Sequence, residues 1–307
     1  MSRPAIVLAL LLGGALFVSA QGQQPAPAAG PPPSTGSLRQ LIPGHYVWSS
    51  NNPSRAALNS GVIATSEGVV VLDALESEAI ARAQRDAIAS LIKQPVRVLV
   101  SSPHHNPYSK GNIAFHDVWK IGHENYRTDL LALMEREKIS ADEQRARLPN
   151  QTYRDRLTLH VGGKEIQVLY LGSAHTRGDS VIFVPQDRIA YPSELLFANQ
   201  FPTSGEGESL GWLRALEALD ALEADIFVPA HGPIPDDPRQ TRQELRRFRQ
   251  IFTDARDAVQ KEIARGATED QAAAAVLLPQ YDKLPVMKGQ REGLVRRMYK
   301  ELNAKRP

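Results

Sequence analysis

Five apolar runs rich in β-branched residues divide the first two-thirds of the chain: GVIAT, GVVVLDA, VRVLVSS, EIQVLYLG and SVIFVP. Each is short and bounded by Gly, Ser, Pro or Asp, the pattern of strands buried on at least one face. RIAYPS and DIFVPAHG add two shorter strands. LTLHVGGKEIQVLYL reads as a hairpin turning on Gly162-Gly163, a pair that accepts the positive φ angles of a two-residue turn. Between the strands lie amphipathic helices. ESEAIARAQRDAIASLIK carries Ala79, Ala83, Ile88 and Leu91 at helical spacing, and GWLRALEALDAL carries Trp212, Leu216 and Leu219. From Pro238 onward the pattern is helical, with breaks at Pro279 and Pro285. Paired strands followed by strand–helix alternation predict sheets covered by helices, an α/β or α+β layered architecture.

The loops after the strands carry the chemistry. SSPHHNPYSKGN follows VRVLV, GSAHTRGDS follows EIQVLYL, and PAHGP follows DIFV, so each places a histidine just past a strand end. YPSELLF places Glu194 in the same relation to RIA. Imidazole nitrogens and a carboxylate oxygen converging from several strand ends are how a fold builds a zinc site.

In this order the loops resemble the metallo-β-lactamase superfamily over roughly residues 45–235. LNSGVIATSEGVVVLDA is similar to the family's opening hairpin, with Asp73 at its strand-end aspartate. GSAHTRGD resembles G-x-x-H-T-x-G-D, making His175 a metal ligand; SELLF lines up with G-D-x-x-F, putting Glu194 at the bridging acid; VPAHGP resembles V-P-G-H-G, putting His231 at the last metal-binding histidine. The resemblance implies a four-layer αβ/βα sandwich over residues 38–235, with the helical segment 236–307 packed on the same domain.

SSPHHNPYSKGN departs from the family. Anchored on Gly111-Asn112, the signature H-x-H-x-D-H is met by Pro103, His105, Pro107 and Tyr108, so only its second histidine remains. His104 is adjacent, but neighbours in an extended segment point to opposite sides. One metal set of the family keeps His105 and His175; the other keeps Glu194 and His231. Pooled, His105, His175, Glu194 and His231 are enough for a single zinc ion, and two ions are not expected. The family's water-orienting aspartate is replaced by Pro107, which neither takes nor donates a proton. Tyr108 has two readings: a catalytic phenol donating to a developing oxyanion, or a side chain filling the space of the missing histidine.

Other residues receive plainer readings. His123 is structural, and His45, His116 and His160 take surface or satisfied polar roles. Asp179 caps backbone amides or orients His175, and Asp73 does likewise. WSSNNPSR and ANQFPTSGEGES line the pocket mouth.

Residues 1–20 carry Arg3, an apolar stretch and VSA, the marks of a cleavable secretory leader; the alternative is an uncleaved anchor. Residues 21–37 are a Pro/Ala/Gly-rich linker that cannot bury a core. Export would place the protein in the periplasm or medium, with no stable membrane span after cleavage. The chain has no cysteine, which excludes disulfides, a thiolate ligand and a lipid-modified cysteine. The net charge is only +2, and the one basic run, RQTRQELRRFRQ, reads as a solvated helix face, so no nucleic-acid partner is expected. The combined expectation is an exported mononuclear zinc hydrolase acting on an unspecified small molecule, with a degraded metal site. The alternative is an inactive family member serving as a binding or scaffold module.

Overall fold

A computed structural model describes residues 36–50, 56–203 and 206–304. The predicted leader and most of the predicted linker lie outside them.

Two sheets face each other. The first has seven strands in sequence order: β1 (Gly36–Ile42), β2 (His45–Ser50), β3 (Asn59–Thr65), β4 (Gly68–Leu72), β5 (Val96–Ser101), β6 (Trp119–His123) and β7 (Gln151–Tyr153). β1 to β4 pair antiparallel, and β4 to β7 pair parallel. The second runs β12 (Ile226–Phe227), β11 (Ile189–Tyr191), β10 (Val181–Val184), β9 (Lys164–Leu169) and β8 (Arg156–Val161). Gly162 and Gly163, at φ +54° and +79°, make the two-residue turn that pairs Val161 with Lys164.

Residues from the inner faces, among them Val47, Ile63, Val70, Val100 and Ile121 opposite Val168, Ile182, Val184 and Tyr191, form the core between the sheets. The helix α1 (Glu78–Leu91) covers the outer face of the first sheet, where Ala81 and Ile88 pack with Val62, Val71 and Leu99. Next to it lie α2 (Glu124–Arg136) and the short α3 (Ala141–Arg147). The second sheet is covered by α4 (Ser209–Asp220), α5 (Thr241–Ala264), α6 (Glu269–Ala275) and α7 (Met287–Ala304), whose Trp212, Phe248, Phe252 and Val295 share one core with Phe183 and Phe227. These are the four layers of an αβ/βα sandwich. Among the described residues no helix is long and apolar enough to cross a membrane.

Two boundaries are corrected. The predicted linker overruns by two residues, because Gly36 and Ser37 pair with Ser50 and Ser49. Gly36 lies under the Trp48 ring, where a Cβ would come within 2.4 Å of a ring carbon. Of the apolar positions expected along α1, Ile88 is buried and Ala83 partly so, whereas Ala79 and Leu91 are exposed. Ser77 caps the helix at the Ile80 amide, and the buried face is Ile80, Ala81, Gln84 and Ile88, leaving Leu91 exposed. Alanines fit either face of a helix, so they misled the phase.

A polar staple joins the sheets. His45, fully buried, has Nε2 2.7 Å from Asp187 and Nδ1 3.1 Å from the Tyr191 hydroxyl, and Lys164 also binds Asp187. Burial, outweighing Asp187, lowers the His45 pKa from 6.5. The folded state therefore binds fewer protons here than the unfolded state, and this contribution to stability falls as pH drops below 6.5. Between about pH 7 and pH 5 the urea midpoint of the wild type is expected to fall relative to that of His45→Gln, in which this group is absent. Equal slopes in the two proteins would show that His45 does not carry the effect.

Candidate metal centre

Both sheets send strand ends to one edge of the sandwich. His105 comes from the loop after β5, His175 from the loop joining β9 to β10, Glu194 from a helical turn after β11 (Ser193–Leu195), and His231 from the segment after β12. Hydrogen bonds between these loops fix their relation. The Asp73 carboxylate accepts from the Ser102 amide at 2.9 Å and the Ser193 hydroxyl at 2.5 Å, tying the His105 loop to the Glu194 turn. Asp73 and Ser193 both hold left-handed backbone, at φ +66° and +50°, a conformation that surrounding bonds must enforce in residues other than glycine. Ser102 also accepts from the Ser180 amide at 2.9 Å, and Asp179 takes the Thr176 amide and hydroxyl, which shapes the His175 loop. The His231 segment is clamped from both sides: Asn59 donates through Nδ2 to the carbonyls of Pro229 and Gly232, and Ala198 donates to that of His231. Gly111, in the signature loop, sits where a Cβ would fall 1.8 Å from the Ala74 carbonyl oxygen, so no larger residue fits. Asn112 beside it donates to the Tyr126 hydroxyl and the Arg147 carbonyl.

Three of the four expected ligands converge. Glu194 Oε2 lies 2.9 Å from His175 Nε2 and 3.4 Å from His105 Nε2, and those two nitrogens are 2.9 Å apart. Oε2 is buried and faces both imidazole nitrogens, with His175 as its nearer ion-pair partner. Donor atoms at these separations, with a buried oxygen lone pair aimed among imidazole nitrogens, match the ligand spacing around one ion bound at about 2.0–2.2 Å. The residues present fit a bound metal ion. His231 stands outside this cluster: its Nε2 is 2.7 Å from Oε1, the other oxygen of the same carboxylate.

The electrostatics follow from this crowding. Burial alone would raise the Glu194 pKa, but His175, together with His231 and His105, holds it well below the usual carboxylate range. Burial lowers the pKa of His175 and Glu194 raises it more, for a net increase. Asp73 and Asp179, buried beneath the site, are pushed up by burial to about 7 and about 6.

His104, in the bend beyond β5, points away from the cluster. Its Nε2 lies 2.9 Å from Glu206, and its ring meets His105 only edge-on. His123 stacks on Tyr170 at 3.8 Å and binds the Arg154 carbonyl, a structural role. Of the segments expected at the pocket mouth, Trp48–Ser50 belong to β2, and residues 51–55 and 204–205 lie outside the described ones. Asn59 was not anticipated as a site residue; its bonds span some 170 positions, and no local signal announces them.

Tyr108 is buried. Its hydroxyl donates to the Ala230 carbonyl at 2.6 Å, and its ring packs edge-on to His231 at 5.7 Å. The phenol proton is thus committed to the backbone, not offered to a substrate oxygen. The Ala230 carbonyl also accepts from the Asn59 amide, so Tyr108→Phe leaves it one partner. That variant is expected to lose about 1 kcal/mol in urea denaturation and keep its metal. A loss of turnover beyond about a hundredfold would instead place the phenol at the reacting oxygen.

The sequence profile of the metallo-beta-lactamase superfamily matches residues 56–231, more than half of the chain, and the chain belongs to that superfamily. It is 26% identical over 209 residues to a metallo-beta-lactamase type 2 of Elizabethkingia meningoseptica, covering 68% of this chain and 75% of that protein. It is also 26% identical over 140 residues to a linear primary-alkylsulfatase of Pseudomonas sp. (strain ATCC 19151), covering 43% of this chain but only 26% of that enzyme. Among solved structures, a metallo-beta-lactamase from Pontibacter korlensis superposes with a TM-score of 0.60 at 19% identity, over 71% of this chain and 99% of that one, a likeness of fold.

Proposed function

We propose that the protein is an exported, periplasmic or secreted hydrolase that holds one zinc ion on His105, His175 and Glu194 and acts on a small molecule. The buried Glu194 Oε2, with two imidazole nitrogens converging on it, supports this most directly. Bound there, zinc would supply Lewis acidity toward water and a substrate oxygen. The remaining work falls to the chain. Glu194 Oε1 orients the His231 ring, and their 2.7 Å pairing lets a proton be held at Nε2. Pro107 provides no base, and His231 stands beside the ligands as a side chain able to pass a proton. The relatives, named for lactamase and sulfatase activities, support hydrolysis as the reaction class and leave the bond undefined.

A second reading, an inactive binding module, is favoured by one observation: Tyr108 fills a signature position with its hydroxyl turned onto the backbone. Elemental analysis separates the two. About one zinc per chain, absent from His175→Ala, is expected. Metal-free protein whose melting temperature ignores excess zinc overturns the hydrolase reading in favour of the module.

A further inference from the structure

Phe197 has two faces. Its ring packs against His231 at 4.5 Å and His175 at 5.9 Å, and it also lines a separate cavity of about 230 Å³. None of the proposed metal ligands lines this cavity. Its walls come from the loop after Glu194, the middle of α5, and the turn around Pro279–Tyr281; of these only the first also touches the candidate metal centre. The floor is apolar, made by Phe197, Phe248 and Ile251, all nearly inaccessible, with Leu284 and Tyr281 half-buried beside them. An enclosed apolar cavity of about 150 Å³ accepts benzene; this one, larger, open on one side and rimmed by polar residues, has room for a longer chain with a polar head.

The mouth carries charge. Arg247 is neutralised by Glu244 at 2.5 Å, whereas Lys283, exposed at the rim, makes no ion pair among the described residues. An apolar floor beneath one uncompensated cation selects a ligand with an apolar tail and an anionic head. We propose that this cavity is a binding site for an aliphatic carboxylate of medium chain length, the tail against Phe197, Phe248 and Ile251 and the carboxylate on Lys283. The site gives the helical segment beyond residue 235 a role of its own, independent of metal occupancy.

Calorimetric titration of the full chain with octanoate tests this, with 1-octanol and octylamine as controls. Saturable binding at one site is expected, tighter for octanoate than for octylamine. Lys283→Glu, an exposed change that leaves the fold intact, should weaken octanoate about fivefold, since an exposed charge pair contributes modestly and reversal counts it twice; it should leave octanol unchanged. Leu284→Trp, filling the cavity, should remove binding of both. Absence of saturable octanoate binding overturns the proposal. So does octanoate affinity unchanged by Lys283→Glu, or octylamine binding as tightly as octanoate.

Discussion

Glu194→Gln is expected to abolish metal retention while leaving the fold in place. Glu194 is the centre of the constellation, with three imidazoles arranged around its two oxygens at 2.7, 2.9 and 3.4 Å. An amide keeps the shape but loses the charge, and its nitrogen is not a zinc donor. Groups that merely orient a ligand cost about 10–100-fold in metal affinity when removed, so loss of a ligand itself should exceed a hundredfold. The readout is twofold. Zinc content should fall from about one per chain to none, and stabilisation by zinc should vanish. An ion at about a hundred times its Kd stabilises the folded state by about 2.7 kcal/mol, which the wild type should show as a raised melting temperature and the variant should not. A variant that retained its zinc would show that Glu194 is a spectator, and the ligand set would have to be rebuilt around the histidines.

How far the site was legible depends on where each bond closes. His105, His175, Glu194 and His231 each follow an apolar run, so local pattern was enough to nominate them. The direction of His104 was expected from the alternation of an extended segment; the chain bends there instead, and His104 turns to Glu206, away from the cluster. What could not be read was which carboxylate oxygen each imidazole meets. Sequence pooled four ligands around one point; the structure gathers His105 and His175 on Oε2 and sets His231 on Oε1. That division is a matter of ångströms, set by the clamp of Asn59 and Ala198 on the His231 segment and by the Asp73 bridge between two loops. The fold shows the same boundary. The Gly162-Gly163 hairpin was readable because turn and partner strands adjoin. The start of β1 was not, because Gly36 and Ser37 carry no apolar signal and their fit depends on Trp48 lying over Gly36.

Outside the ligands themselves, the residue whose loss should do most damage is Trp212. Read from the sequence only as one apolar position of α4, it is 1% exposed and donates its indole N–H to the Leu195 carbonyl at 3.0 Å, directly behind Glu194. Its ring lies 4.9 Å from both His175 and Phe252 and 5.8 Å from Phe197 and Phe248, so the covering helices and the metal centre meet on it. Trp212→Ala should cost about 3–5 kcal/mol in urea denaturation through lost burial and the cavity left behind. It should also free the His175 ring and the Glu194 turn to move, weakening zinc in a chelator competition by about 10–100-fold. Trp212→Phe keeps most of the volume and loses only the indole bond, so it should show a smaller loss of both. If zinc affinity were unchanged in Trp212→Ala, the apolar layer would be a source of stability alone. A larger role follows from the geometry, because His175 has the indole ring on one side and Glu194 on the other, and loosening either wall releases the imidazole.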